Sequence, residues 1–284
     1  MPAKGIFLRM NILFVTDLHG NAGRYERALA LARVLKADAV VNGGDMLPNG
    51  GDPFTRQRGF ITDFLGPHFA AYVRAGIRYL CMPGNDDLRI HDQLFQETCA
   101  KHPGVHSLAQ QCVAVNDIDF IGMNLVADYP FRLKDRCRID APGFKFPMQF
   151  GSALVSTDRG AYHEIADWKR YARSLPSIED ALEILPDPRD LNKAVYVIHM
   201  PPSGLGLDVC GDGRRVGSGA VNRFLSTRQP AMSLHGHIHE SPVMSGVWKA
   251  RLGRTICVQP GQVGGLSYAT VDTAEWRVER FVEE

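Results

Sequence analysis

Apolar runs of strand length, each ending in a short polar cluster, constrain this chain more than any other feature of its sequence. Three such runs in the first half, residues 11–16, 39–41 and 77–82, are separated by helical patterns at about 22–36 and 56–74. Strands that alternate with helices in this way pair in parallel as β-α-β units. Ligands of such sheets bind beyond the carboxyl ends of the strands. The polar clusters that follow the strands are therefore predicted to meet at one edge.

The second half of the chain has a different pattern. Residues 113–123 are typical of a strand pair, residues 124–188 are irregular, and another buried strand spans 194–198. After a short helix at about 218–227, brief apolar runs predict strands of antiparallel character at 231–234, 243–245, 255–258, 266–271 and 275–281. We predict a single α/β domain over residues 1–284, built from two packed sheets with helices outside and an irregular insertion at about 124–190.

Five polar clusters follow the predicted strands, and each contains residue types that bind metal ions. They are Asp17-Leu-His19-Gly-Asn21, Gly43-Gly-Asp45, Gly84-Asn85-Asp86-Asp87, His199-Met-Pro-Pro202 and Gly236-His237-Ile-His239. Taken alone, each cluster is a weak signal, because a D-x-H or an H-x-H often occurs by chance. Five of them in this order, each at a strand end, indicate one shared site.

In these motifs the chain resembles the calcineurin-like metallophosphoesterases, whose signature runs D-x-H, G-D, G-N-H-(D/E), H and G-H-x-H. The resemblance extends from Ile12 to about Glu240. It implies a sandwich of two mixed β-sheets flanked by helices and a metal-dependent phosphoesterase activity of the phosphodiesterase-like kind. By the same resemblance, seven side chains hold two divalent ions: Asp17, His19 and His239 the first, Asn85, His199 and His237 the second, and Asp45 both.

The chemistry of these side chains is consistent with the resemblance. Imidazole and carboxylate ligands together suit Mn, Fe or Zn better than Ca or Mg. A bridging carboxylate can hold two ions about 3.5–4 Å apart, as in two-metal hydrolases. With Asp17 and Asp45 as the only anionic ligands, two dications keep surplus positive charge, and the neutral Asn85 preserves it. The expected reaction is in-line attack on phosphorus by a hydroxide that bridges the metals.

The chain departs from the family signature at one position that bears on catalysis. Asp86 stands where the family commonly has a histidine that is proposed to protonate the leaving oxygen, and Asp87 matches the usual acidic residue. One interpretation is a neutral variation. The other is that a carboxylate beside two dications stays ionised, acts as a poor general acid and repels a doubly charged monoester. On that basis Asn85 and Asp86 are the candidate catalytic residues, and a phosphodiester is the expected substrate.

Two other functions stay open on the same residues. A nucleotide pyrophosphatase expels a phosphate, which needs no strong acid, so Asp86 is compatible with it. A binding scaffold that has lost catalysis would also explain Asp86, although drift would be expected to erode the metal ligands too. The run Met-Leu-Pro-Asn-Gly after Asp45 lacks the G-D-x-x-D-R-G continuation of protein Ser/Thr phosphatases, which disfavours that branch.

Residues outside the motifs are weaker candidates for the site. His235 is expected to be structural or to support a ligand. Arg214 and Arg215, which precede a helix start at Ser218, either bind a substrate phosphate or belong to a solvated turn. Five further histidines are predicted to lie at the surface: His68, His91, His102, His106 and His163.

The irregular insertion interleaves aromatic and basic side chains. They include Tyr129, Phe131, Arg132, Arg136, Arg138, Phe144, Lys145, Phe146 and Phe150. Such a pattern can stack bases and track phosphates. The formal net charge is only +1, however, which argues against an extended nucleic-acid surface. A lid or a packing insertion is the preferred interpretation, and the expected partner is a small phosphorylated substrate.

Cysteine usage and the apolar runs bear on the compartment. The six cysteines are scattered and form no C-x-x-C pair, so we predict reduced thiols and a cytoplasmic protein. Residues 1–10 contain too short an apolar run for a signal peptide. No apolar run approaches the roughly 20 residues that a membrane helix needs. We therefore expect a soluble protein.

Overall fold

A computed structural model describes residues 9–284, so the first eight residues, which carry most of the argument about a signal peptide, lie outside the described part of the chain. Its strands are β1 (Asn11–Val15), β2 (Ala39–Asn42), β3 (Arg78–Cys81), β4 (Val105–Ser107), β5 (Cys112–Val115), β6 (Ile118–Met123), β7 (Val126–Ala127), β8 (Cys137–Arg138), β9 (Ala153–Thr157), β10 (Ala161–Ile165), β11 (Ala194–Ile198), β12 (Met232–Leu234), β13 (Lys249–Leu252), β14 (Thr255–Val258), β15 (Ser267–Asp272) and β16 (Arg277–Val282). Its α-helices are α1 (Ala22–Val34), α2 (Pro53–Gly59), α3 (Gly66–Arg74), α4 (Asp92–Ala100), α5 (Trp168–Arg173), α6 (Ile178–Glu183), α7 (Gly219–Arg228) and α8 (Ser241–Ser245).

Two six-stranded mixed sheets form the centre of the molecule. The first has the order β16-β15-β1-β2-β3-β4, and the second has the order β13-β14-β12-β11-β6-β5. In the first sheet β1 to β4 are parallel, and β15 and β16 add antiparallel pairs at one side. The predicted α/β fold of two mixed sheets flanked by helices is confirmed.

The second sheet corrects one expectation from the sequence. Its central strands β6, β11, β12 and β14 are parallel, and only the outer strands β5 and β13 are antiparallel. Short strands alone do not indicate their direction. Helix α7 connects β11 to β12, and a helical crossover of this kind makes the two strands parallel. The second sheet therefore also gathers several carboxyl strand ends at one edge.

Successive side chains of a strand point to opposite faces of the sheet and so contribute to two different hydrophobic cores. On β1, Ile12 and Phe14 point into the layer between the sheets, where they meet residues of β11 and β12. Leu13 and Val15 point the other way, toward α1, α3 and α4. This period of two is the expected consequence of strand geometry. Because the strand side chains are used in the two cores, the loops after the strands are the parts of the β-α units that can hold functional side chains.

Two local predictions of secondary structure were wrong or incomplete. Residues 243–245, predicted as a strand, belong to helix α8, which has Pro242 in its first turn and hydrogen bonds from the N–H groups of Val243 and Met244 to the carbonyl of Glu240. A short apolar run does not separate the two structures. The helix predicted at 56–74 is interrupted by a π-helix, Phe60–Leu65, just before Pro67, which lacks a backbone N–H.

The predicted surface position was also wrong for two histidines. His68 and His91 are each only 7% exposed. His68 packs among the rings of Tyr25, Phe64 and Tyr72, and burial lowers its pKa to about 4. Its helix presents this face to the first sheet, so a neutral imidazole serves as a core side chain.

The insertion is more ordered than its sequence predicted. It contains the short parallel pair β7–β8, the antiparallel hairpin β9–β10 and helices α5 and α6. A small core of its own includes Val126, Cys137, Ala153, Trp168 and Met200. Met200 lies two residues after the end of β11, so the insertion packs onto the end of the second sheet.

Two expectations about compartment concern the described residues. All six cysteines are free thiols. Among the helices of residues 9–284, none is long and apolar enough to cross a bilayer.

Candidate metal centre

The loops that follow β1, β2, β3, β11 and β12 converge at one edge shared by the two sheets. Within the first sheet, the N–H of Asp17 donates to the carbonyl of Gly44 at 2.9 Å, and the N–H of His19 donates to the carbonyl of Asp45 at 2.9 Å. Between the sheets, the N–H of His237 donates to the Asp17 carboxylate at 3.0 and 3.2 Å. These bonds hold loops that are far apart in sequence in one cluster.

The first group of potential ligands consists of Asp17, His19, Asp45 and His239. Their ligand atoms all lie within 4.8 Å of one another. His239 Nε2 is 3.1 Å from His19 Nε2 and 3.4 Å from Asp17 Oδ1. Ligands bonded at 2.0–2.2 Å to a common transition-metal ion lie about 3–3.5 Å apart. The distances from His239 to His19 and Asp17 therefore match what a single ion requires.

The second group consists of Asp45, His199 and His237, whose ligand atoms also lie within 4.8 Å of one another. Asn85 completes it with an amide oxygen. Asn85 Oδ1 is 3.0 Å from His199 Nε2 and 2.6 Å from His237 Nδ1. This group has one carboxylate, two imidazoles and one amide oxygen, a donor set that suits Mn, Fe or Zn.

Asp45 is common to both groups, and its two oxygens have different surroundings. Oδ1 accepts a hydrogen bond from the N–H of Asp86 at 2.9 Å. Oδ2 faces His19 Nε2 at 3.9 Å and His199 Nε2 at 3.5 Å. The carboxylate is only 2% exposed. One oxygen is thus fixed by the backbone, and the other lies between the two groups of ligands.

A backbone hydrogen bond orients the imidazole of His199 toward Asp45 and Asn85. Its Nδ1 lies 2.9 Å from the carbonyl oxygen of Gly43, to which Nδ1–H donates. This bond favours the tautomer whose Nε2 carries a lone pair, and Nε2 is the atom that faces Asp45 and Asn85. Histidine ligands are commonly fixed through their second nitrogen in this way.

Unusual backbone conformations are concentrated among the candidate ligands. Asp17, His19, Asp45 and His237 have φ values of 56°, 46°, 48° and 71°. They are four of the nine non-glycine residues with positive φ in the described chain. Such a conformation costs about 1–3 kcal/mol and is retained where the surrounding structure imposes it, often at functional sites. The strain is consistent with loops selected for where they put their side chains.

Two of the glycines beside the ligands are required by close approach. A Cβ at Gly84 would lie 2.2 Å from the N and Oδ1 atoms of Asp45, and one at Gly236 would lie 2.1 Å from Thr16 Oγ1 and 2.6 Å from Asp17 Oδ2. Any larger residue would push into a ligand.

Within the cluster, burial and the neighbouring charges shift the pKa values of the histidines. Burial lowers the pKa of His199 and His239, but the nearby carboxylates of Asp45 and Asp17 outweigh it and raise both pKa values to about 9. His237 behaves oppositely, because burial and the charge of His199 lower its pKa to about 3. Cations bound at these atoms would compete with protons for them, because histidine binds a metal through an unprotonated nitrogen.

Asp86 lies at the mouth of the cluster, with its side chain 35% exposed. Its carboxylate accepts a hydrogen bond from Asn85 Nδ2 at 2.9 Å and is 3.9 Å from His19 Nδ1. Asn49 Nδ2 lies between the two, 3.2 Å from His19 Nδ1 and 3.5 Å from Asp86 Oδ2. Burial and the charge of Asp45 raise the pKa of Asp86 to about 6 in the metal-free protein. Bound cations would act in the opposite direction.

Two residues support the site in a way that the sequence did not predict. Asp87 is fully buried and accepts the N–H groups of Met46, Leu47 and Gly84 at 2.9, 2.8 and 2.7 Å, so it ties the loop after β2 to the loop after β3. From the insertion, Arg136 donates through Nε to the carbonyl of Gly84 at 2.7 Å. Asp87 belongs to the motif, but no local signal marks Arg136.

The buried Arg136 gives a prediction about the second ligand group. Its guanidinium is 5% exposed and pairs with Asp92, which is 32% exposed. We expect Arg136→Met to weaken metal binding about 10- to 100-fold, as for residues that orient ligands, because the Gly84–Asn85 loop loses its anchor. Metal titration calorimetry measures this affinity, and Arg170→Met, at an exposed position of α5, is the matched control. Unchanged metal affinity in Arg136→Met would exclude this supporting role.

The remaining candidate residues have definite surroundings. His235 is fully buried, with Nδ1 2.9 Å from the carbonyl oxygen of Ile198 and Nε2 2.8 Å from the hydroxyl of Ser233, which agrees with a structural role. Ser218 caps α7 by accepting the N–H of Val221. Arg214 is exposed and donates to Asp212 in its own loop, and Arg215 is exposed beside it. Phosphate binding by these two arginines stays a prediction.

The fold and this set of ligands define a metal-dependent phosphohydrolase. The sequence pattern of the calcineurin-like phosphoesterase family matches residues 10–241. The chain belongs to this family.

Solved structures are similar to this chain over nearly its whole length. TT1561 of Thermus thermophilus shares its fold, with a TM-score of 0.59 at 16% sequence identity, over 96% of this chain and 99% of that one. A dimetal phosphatase from Danio rerio aligns with a TM-score of 0.48 at 12% identity, over 93% of this chain and 92% of that one. Among curated protein sequences, none matches the chain.

Proposed function

We propose that the protein hydrolyses a small phosphodiester with two divalent cations held on either side of Asp45. The observation that carries this proposal is the position of Asp45 Oδ2, which faces His19 on one side and His199 on the other. A buried carboxylate oxygen between two complete groups of ligands is the arrangement that a bridging ligand needs. A site for a single ion would use only one of the two groups of donor atoms.

The candidate ligands form two sets, one for each ion. Asp17, His19 and His239 would hold the first, and Asn85, His199 and His237 would hold the second. When bound, such a pair of cations activates a water and polarises a phosphate oxygen. The chain keeps the histidines oriented, supplies only two carboxylates and so leaves net positive charge for the anionic substrate. The donor set favours Mn, Fe or Zn, and the six free thiols suit a reducing cytoplasm.

Asp86 supports a diester as the substrate. Its partly exposed carboxylate borders the first ligand group through His19 and the second through Asn85. Once ionised, it would repel a monoester with two negative charges more strongly than a diester with one. An ionised carboxylate also supplies no proton to a leaving alkoxide. A diester with an acidic leaving group meets both conditions, and a nucleoside pyrophosphate, which expels a phosphate, meets the second.

A pair of substrates with one leaving group tests the preference. We expect methyl p-nitrophenyl phosphate to have a kcat/KM at least about tenfold above that of p-nitrophenyl phosphate, equivalent to ~1.4 kcal/mol, in protein loaded with Mn²⁺, Fe²⁺ or Zn²⁺. Asp86→Asn, which removes the charge and keeps the shape, should narrow this ratio. Asp86→His should raise turnover of diesters that expel an alkoxide.

The outcomes separate the competing functions. A preference for the monoester contradicts the proposal, and turnover confined to a nucleoside pyrophosphate identifies a pyrophosphatase instead. Two metal ions per chain without turnover of any of these substrates would indicate a binding scaffold. Metal content is measured on the same preparations by mass spectrometry, so that an inactive sample is distinguished from an unloaded one.

A further inference from the structure

A continuous series of aromatic rings leads from the candidate metal centre to the surface of the insertion. The ring of Tyr129 lies 5.9 Å from the ring of His237, a candidate ligand of the second ion. Phe131 lies 5.9 Å from Tyr129, and Phe150 lies 5.6 Å from Phe131 at an interplanar angle of 83°. We call Tyr129, Phe131 and Phe150 the aromatic strip. It begins at a metal ligand and ends in solvent.

The two outer rings of the aromatic strip are largely exposed to solvent. Phe131 is 63% exposed and Phe150 is 56% exposed. Neither belongs to the small core of the insertion, which instead buries Trp168 and contacts Tyr129 at its margin. Two adjacent exposed phenylalanines beside a polar site are a specific feature, since single exposed apolar residues are common but adjoining aromatic ones mark binding sites.

The strip is held in place from behind. The N–H of Phe150 donates to the carbonyl of Pro130 at 2.9 Å, which joins the two outer rings through the backbone. Tyr129 donates its hydroxyl to the carbonyl of Leu133 at 2.7 Å. The ammonium group of Lys134 lies 4.9 Å from the centre of the Tyr129 ring and pairs with the buried carboxylate of Asp128 at 2.7 Å. The Tyr129 ring and the backbone that carries the two phenylalanines are therefore fixed before any ligand arrives, which lowers the entropy lost on binding.

We propose that the aromatic strip is a subsite for a planar aromatic group, such as a nucleobase or an aryl ring, that is esterified to the phosphorus held at the metal centre. This inference rests on the proposed function. A ring fits the strip better than an alkyl chain, because the edge-to-face pair of Phe131 and Phe150 offers both a face for stacking and an edge. Stacking on aromatic side chains needs no base-specific hydrogen bonds. The protein would thus accept different bases or aryl groups.

The test keeps the leaving group constant and varies the other ester. The full-length, Mn²⁺-loaded protein is assayed with methyl, hexyl, phenyl and thymidine 5′-p-nitrophenyl phosphates. We expect kcat/KM for the phenyl and thymidine esters to exceed that for the methyl ester by about tenfold or more, the effect of one stacked ring. The hexyl ester should stay close to the methyl ester.

Variants of the outer rings locate this selectivity. Phe131→Ala and Phe150→Ala should each lower the ratio of the phenyl to the methyl ester severalfold, and Phe131→Leu should lower it as well because it keeps apolar area but loses the ring. Ile184→Ala, at a 78% exposed position beyond α6, is the matched control and should keep the ratio. Since both phenylalanines are exposed, loss of folding is not expected, and circular dichroism checks it.

Each outcome has a distinct meaning. Equal rates for all esters, a preference for hexyl, or an aromatic preference that survives both alanine variants would overturn the subsite while the proposed diesterase stands. If no diester is turned over, the proposed function fails, and calorimetry decides the subsite by itself. In that case tighter binding of phenylphosphonate than of methylphosphonate, lost in Phe131→Ala, supports the strip, and equal binding of the two excludes it.

Discussion

Asp45→Asn is expected to remove both metal ions and to lower kcat/KM by more than about a hundredfold, the upper effect of residues that merely orient ligands. The amide keeps the shape of the side chain, and its oxygen can still accept the N–H of Asp86. It lacks the negative charge that two cations at Oδ2 would share. Because Oδ2 faces both ligand groups, one substitution should disturb both ions at once.

Metal stoichiometry distinguishes this bridging role from an ordinary ligand. His239→Ala removes a ligand of the first group only, so we expect it to lose about one ion while Asp45→Asn loses both. Glu275→Gln, an exposed turn residue between β15 and β16, removes the same charge without touching the site and serves as the control. If Asp45→Asn retained two ions per chain, or kept activity within twofold of the unmodified protein, Asp45 would not bridge.

The sequence predicted those site residues that directly follow a buried strand, because this pattern is visible over a few neighbouring residues. A buried strand followed by a polar cluster identifies a strand end, and the ends of parallel strands meet by geometry alone. Asp17 and Asp45 are brought together in this way, and packing of the second sheet against the first adds His199. The positive φ values of Asp17 and Asp45, in contrast, depend on bonds between loops, such as that from Asp17 N–H to Gly44, and have no local signature.

Long-range packing decides what the sequence did not predict. His68 was predicted at the surface because it lies outside the motifs, yet it packs against Tyr25 of α1 and Tyr79 of β3 in the core on one face of the first sheet. The apolar run at residues 243–245 is too short to distinguish a helix from a strand, and Pro242 in the first turn favours the helix. In both cases a contact or a local backbone constraint outweighs the apolar pattern.

The insertion is the clearest case, because partners distant from the motifs stabilise it and also support the site. Arg136 anchors the Gly84 carbonyl, and Asn124 donates to the carbonyl of Pro83 at 2.8 Å. A charged residue in an irregular, aromatic-rich segment is normally expected at the surface. Here Lys134 and Asp128 have side chains that are both 0% exposed, so the segment folds around an ion pair that composition alone could not reveal.

That ion pair gives the second prediction of large effect. Lys134→Met is expected to lower the free energy of unfolding by about 3–5 kcal/mol, because it leaves the Asp128 carboxylate buried with Gln149 as its remaining side-chain donor. Since Lys134 also donates to the carbonyl of Tyr129 and lies over its ring, the variant should loosen the aromatic strip as well. Urea denaturation of the metal-free protein measures the loss of stability, and Lys169→Met, at an exposed position of α5, is the control.

A double variant shows whether the loss comes from the unpaired charge. Replacing a buried ion pair by apolar residues of similar size is often neutral, whereas removing one partner is costly. Adding Asp128→Leu to Lys134→Met should therefore recover most of the stability, although Gln149 then loses an acceptor at 3.0 Å. A loss below about 1 kcal/mol in the single variant, the usual value of an exposed pair, would mean that water reaches Asp128 and that the insertion does not depend on this pair. Recovery of stability without recovery of aryl-ester selectivity would instead assign Lys134 a separate part in positioning Tyr129.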